Sequence, residues 1–234
     1  MKKPYIEQNT PSAEEENIKN LMKELELLRE KVEGDPAGYV VLFMEKLMSA
    51  VWSYHFSNVF DNTEGCRIEK QLVSYIERVI EIMRQLNDDA IENRKEKFAK
   101  FLYESTDFLE CKGCWSKGNE NLEESINIFN QIDDFSYDAL QCFIYASKNL
   151  IDNLERELVH LTYKFIHEKA ENMKEIQSNI EKQKELLRGM MNKNNQFYSV
   201  EREEYEYDNL DYKKIILKLN NFPKQIDCVF RRII

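Results

Sequence analysis

At 234 residues the chain is long enough to bury a sizeable core without disulfides. It is 42% hydrophobic and 32% charged, which excludes a disordered chain. With 43 acidic against 33 basic residues the net charge is −10. That balance opposes phosphate-driven nucleic-acid binding over the whole surface and favours a protein partner with a basic surface.

The opening residues, MKKPYIEQNTPSAEEE, hold two lysines with no apolar stretch behind them, so no secretory signal is expected and the expected compartment is the cytoplasm. Five cysteines, an odd number with only two closely spaced, and the lack of any Asn-x-Ser/Thr sequon argue for reduced thiols over a disulfide scaffold. Between Pro36 and Pro223 there is no proline and only five glycines. A β-rich fold needs more turn residues than that, so the fold class expected is all-α: a multi-helix bundle with a long C-terminal helix extending as a coiled coil, and a short polar tail. The corresponding divisions are 1–35, an N-terminal tail and amphipathic helix; 36–191, the bundle with its long helix; and 192–234, an acidic-then-basic tail.

In chain order, Ser12 is an expected N-cap with Glu14, Glu15 and Glu16 in the following turn, where carboxylates suit the positive helix end. Ile18, Leu21, Leu25, Leu28 and Val32 then form a 3-4-3-4 seam. Gly34, Asp35 and Pro36 end that helix and start another, predicting a hairpin. Residues 38–60 are long enough to span a membrane but carry Glu45, Lys46 and His55. Glu45, Ser49, Ser53 and Ser57 recur every four residues, so the segment reads as a core helix with one narrow polar stripe, its aromatics Tyr39, Phe43, Trp52, Tyr54 and Phe56 in the core. A third helix follows from Ile68, Leu72, Tyr75, Ile76, Val79, Met83 and Leu86. Asn87–Asp89 either turn the chain or lie within one unbroken helix over 66–110.

Cys111 and Cys114 enclose Lys112 and Gly113 in a CxxC. If the chain turns at 87–89, Cys66 arrives beside Cys111, and Cys142 can complete a four-thiolate zinc site. The alternative makes Gly113 a helix terminator and the other cysteines small core residues. Redox chemistry is disfavoured because Cys111 sits at a helix C-terminus, whose partial negative charge opposes a thiolate. After CKGCWSKGN, read as a loop, comes a short helix with Leu122, Ile126 and Phe129.

From Ser136 to about Met191 no breaker intervenes, which allows a helix of roughly 80 Å. Two apolar stripes, Leu154–Leu158–Leu161–Phe165 and Val159–Tyr163–Ile166, narrow after Ala170 to Met173, Ile176, Ile180, Leu187 and Met190, near coiled-coil spacing. The expectation is a helix that leaves the body and meets a partner helix or a second copy of the chain. Residues 201–212 hold six acidic groups against one arginine, with Tyr205, Tyr207 and Tyr212 among them, and residues 213–234 reverse the sign.

Two further groupings could carry chemistry. Glu157 and His160 match one Glu-x-x-His element of di-iron bundles, but no second element with that spacing accompanies it. Arg156 and His160 resemble the Arg-to-His pair of the helical RNases called HEPN domains, with a shorter spacer than is usual there. The resemblance is confined to these two residues and implies His160 in proton transfer and Arg156 against phosphate charge. Phosphate-binding loops and nucleophile elbows are absent. The leading expectation is therefore a non-enzymatic helical interaction protein: an adaptor, assembly factor, inhibitor or structural subunit. An RNase using Arg156 and His160, or a zinc-dependent hydrolase, is the enzymatic alternative.

Overall fold

The computed structural model describes residues 12–57, 60, 62–86, 92–134, 136–168, 173–198, 217, 220 and 221. Among the described residues the regular structure is helical, without strands: α1 (Ala13–Gly34), α2 (Pro36–His55), α3 (Asn62–Leu86), α4 (Glu92–Cys111), α5 (Trp115–Gln131), α6 (Tyr137–Glu168) and α7 (Met173–Tyr198). No helix among these residues is long and apolar enough to cross a membrane. The chain divides into two compact units, Met1–Asn121 and Leu122–Ile234. That division falls inside α5.

In the first unit the helix ends form where capping chemistry places them. Ser12 Oγ accepts from the Glu15 amide at 3.1 Å, which satisfies one open donor of α1. Asp35 serves two helices: its amide bonds Lys31 O at the end of α1, and its carboxylate accepts from the Gly38 amide at 3.1 Å at the start of α2. The expected α1–α2 hairpin forms, and the Glu24–Lys46 pair, at 2.8 Å, lies across it.

α2 packs against α1, α3 and α4, with Phe43, Leu47 and Val51 buried. Its polar stripe is present, but two aromatics share it: Trp52 is 37% and Phe56 77% exposed. Their rings stack with centroids 5.6 Å apart, so the expected core role holds for Phe43 and Tyr54 and fails for these two. The reason is angular. Positions 45, 49, 52 and 56 follow a 4-3-4 spacing, which is one helical face.

α3 and α4 are separate helices, which rules out the unbroken helix over 66–110; residues 87–91 lie outside the described residues. Tyr75 Oη donates to Glu26 at 2.5 Å and its ring meets Phe43 edge-on, so α3 runs back along α1 and α2. α4 runs with α2: the buried Arg94 reaches Ala37 O at 3.1 Å near one end, and Phe108 meets the Tyr54 ring near the other.

In the second unit the long rod is not what the described residues form. Phe143 of α6 packs against Phe129 of α5, with centroids 5.7 Å apart. α7 then returns to α5: Lys182 pairs with Glu123 at 2.7 Å, the Gly189 backbone lies against the Asn130 side chain, and Lys193 Nζ donates to Ile132 O. A straight helix would carry residue 182 roughly 60 Å beyond residue 143, so the chain reverses between them. Residues 169–172, between α6 and α7 in sequence, lie outside the described residues. Leu187 and Met190, expected at a partner-facing seam, are fully buried within the chain itself.

Candidate functional site

The sequence LECKGC folds as a Schellman cap. Gly113 takes φ +78°, its amide donates to Glu110 O at 2.9 Å, and the Cys114 amide reaches back to Leu109 O at 2.8 Å. Cys114 O then accepts from the Gly118 amide at 3.0 Å and opens α5. The CxxC therefore joins two helices through backbone groups. α5 begins at Trp115, so Ser116, Lys117 and Gly118, read from sequence as loop, are helical.

Gly118 explains how α5 lies on α4. A Cβ at that position would come within 2.8 Å of Glu110 Cγ and 3.4 Å of Thr106 O. Buried hydroxyls and an amide knit the contact: Asn121 Nδ2 donates to Ser105 Oγ at 3.1 Å, while Ser105 and Thr106 each donate back to Leu102 O. These groups exchange bonds with one another where water cannot serve them, which fixes the rotation of α5 about its axis. Lys117 and Glu120 are thereby set opposite α3.

A cavity of about 350 Å³ results, lined by α3, the end of α4 and the first turns of α5. Its volume is at the lower end of the range for ligand pockets, enough for one or two side chains. Ile76, Ile80 and Leu109, all buried, give it an apolar floor. Glu77, Glu81 and Glu120 supply carboxylates at its rim, against Arg84 and Lys117. Lys117 Nζ pairs with Glu77 across the mouth, joining α5 to α3, and both side chains are about half exposed, 53% and 47%. Glu81 is engaged by Arg78 at 2.6 Å, and the same guanidinium reaches Glu33 of α1 at 2.5 Å. That bond holds the Glu33 carboxyl below its usual range.

A second polar cluster lies where α2 ends, α3 begins and α4 ends. Tyr54 Oη donates to Glu69 Oε1 at 2.9 Å and sits 3.0 Å from Gly65 O. Lys112 Nζ meets the same carboxylate oxygen at 2.5 Å and lies over the Tyr54 and Phe108 rings at 5.5 and 5.6 Å. Burial first, and then the Glu69 carboxylate, pushes the Tyr54 phenol well above its ordinary range, so it stays protonated as a donor. Tyr75 is likewise pushed up to about 12 by burial and by its bond to Glu26.

The Glu69–Lys112 pair puts the start of α3 beside the end of α4, as the antiparallel turn requires. Cys66 is exposed near the start of α3, Cys111 is exposed at the last residue of α4, and Cys114 is half-buried between α4 and α5. Cys142 is half-buried on α6 in the second unit. Among the described residues no three His, Cys, Asp or Glu side chains gather so as to hold a metal ion. Arg156 is exposed, and its Nε bonds Asp152 O at 3.4 Å within its own helix. The side chain of His160, like Tyr205, Tyr207 and Tyr212, lies outside the described residues.

Sequence reading missed the cavity because it placed Lys117 in a loop. A signal was present: Gly118, Asn121 and Ser125 continue backward, at helical spacing, the face of Leu122, Ile126 and Phe129. No protein-family model, curated protein or solved structure matches the chain.

Proposed function

We propose that the chain is a non-enzymatic helical interaction protein, an adaptor, assembly factor, inhibitor or structural subunit that binds a partner protein with a basic surface. The observation that carries this reading is the cavity between α3, α4 and α5, with its buried apolar floor and three rim carboxylates. Such a site holds a side chain presented by another protein: apolar contact supplies the affinity, and the charged rim selects the partner. The net charge of −10 works in the same direction, steering a basic surface toward an acidic one. The stacked Trp52 and Phe56 add exposed aromatic area at the C-terminal end of α2.

Affinity capture of the full chain, with cross-linking and mass spectrometry, tests this reading. The expected result is a protein recovered at near-stoichiometric amount, through cross-links that lose yield as salt rises. A wild-type chain that recovers no protein above an unrelated acidic control, at any salt concentration, would refute it.

A further inference from the structure

Lys117 is an internal model for what the cavity accepts. It lines the space above Ile76, Ile80 and Leu109, and its ammonium closes on Glu77 from the facing helix. Lysine and arginine place an aliphatic stem on apolar surface while the charged head seeks a carboxylate. The pair is half exposed on both sides, and exposed ion pairs of this kind hold weakly enough to exchange. An incoming cation would displace Lys117 from Glu77, with Glu120 on the same rim to receive a second positive charge. Opening the clasp costs little in the fold, because Gly118, Ser105 and Asn121 hold α5 on α4 independently of it.

We infer that the cavity docks a lysine or arginine side chain from the basic surface of a partner protein, and that Lys117 is the competing occupant the partner displaces. This rests on the interaction reading and specifies its contact. The occupant's chemistry follows from the site: a stem for the isoleucine floor, a positive head for Glu77, and neighbouring positive charge for Glu120.

The test uses the full chain and a fluorescein-labelled amphipathic helical peptide of leucine and lysine, followed by anisotropy at one fixed salt concentration. Glu77→Gln is expected to weaken binding about fivefold, and Lys117→Gln to strengthen it about threefold, the range expected for one exposed ion pair. Lys19→Gln makes the same change in net charge on α1, where Lys19 pairs with Glu15; it should leave affinity nearly unchanged. Circular dichroism and tryptophan fluorescence verify the fold of each variant. Equal effects of Lys117→Gln and Lys19→Gln would overturn the inference, since bulk charge alone would then explain binding. An unchanged affinity in Glu77→Gln would overturn it too. Spermidine that displaces the peptide at equal concentration, in a Glu77-dependent manner, would assign the cavity to a free polyamine and remove the docking claim. A captured protein recovered equally by wild type and Glu77→Gln would defeat this inference while leaving the interaction reading intact.

Discussion

Replacing Tyr54 by phenylalanine isolates a single hydroxyl at the junction of three helices. The ring contacts with Phe60 and Phe108 and the Lys112 ammonium survive the change, so no cavity opens. What disappears is the bond to the Glu69 carboxylate at 2.9 Å and the polar neighbour of Gly65 O. A hydrogen bond to a charged acceptor contributes on the order of 1.5–3 kcal/mol. Glu69 keeps Lys112, and its side chain is 29% exposed, so water recovers part of the loss. The expected destabilisation is about 1.5 kcal/mol, a fall in urea midpoint of roughly 0.5–1 M. Both tryptophans, Trp52 and Trp115, lie in the first unit, so intrinsic fluorescence follows its unfolding. Combining Tyr54→Phe with Glu69→Gln in a double-mutant cycle should return a coupling of about 1 kcal/mol. A coupling below about 0.3 kcal/mol, the usual limit for independent sites, would refute the hydroxyl–carboxylate account.

Gly113→Ala places a Cβ on a residue at φ +78° and should cost about 1 kcal/mol in the same fluorescence assay; an unchanged midpoint would mean the Schellman turn is not required. Tyr75→Phe should flatten stability at high pH. The folded Tyr75 pKa is raised above the unfolded value of 10.0 to about 12, so its contribution is full below pH 10 and lost as pH climbs through 12. A wild type and variant that lose stability in parallel over that window would contradict this. Chelator treatment of purified protein should leave the unfolding temperature unchanged, because the CxxC turn is closed by the Gly113 and Cys114 amides donating to Glu110 O and Leu109 O. A fall of several degrees that zinc restores, and that Cys111→Ser with Cys114→Ser abolishes, would instead place a metal at the CxxC.

Much of the first unit was legible because short-range rules governed it. Ser12 and Asp35 cap helices through their own side chains, and the seam Ile18, Leu25, Leu28 and Val32 is buried as its spacing requires. The helix break near residue 87 was legible only as one of two options, because neither glycine nor proline enforces it. The return of α7 onto α5 escaped altogether. A run without breakers allows a long helix but cannot exclude a reversal, and the contacts that enforce one here, Lys182 with Glu123 and Gly189 against Asn130, join residues 59 apart. The cavity was hidden for a similar reason. Its floor belongs to α3 and α4 and its rim partly to α5, and only Gly118 hints at how closely α5 approaches.

Site-specific photo-cross-linking addresses the central claim most directly. A benzophenone side chain is introduced at Gln85 on the cavity rim and, separately, at Glu30 on the exposed face of α1, in the cell that makes the protein. A protein adduct that forms at position 85, is absent at position 30, and fades when Glu77→Gln is added is the expected result. Adducts at position 30 alone, or of equal yield at both positions and indifferent to Glu77, would contradict the cavity as the contact through which this protein works.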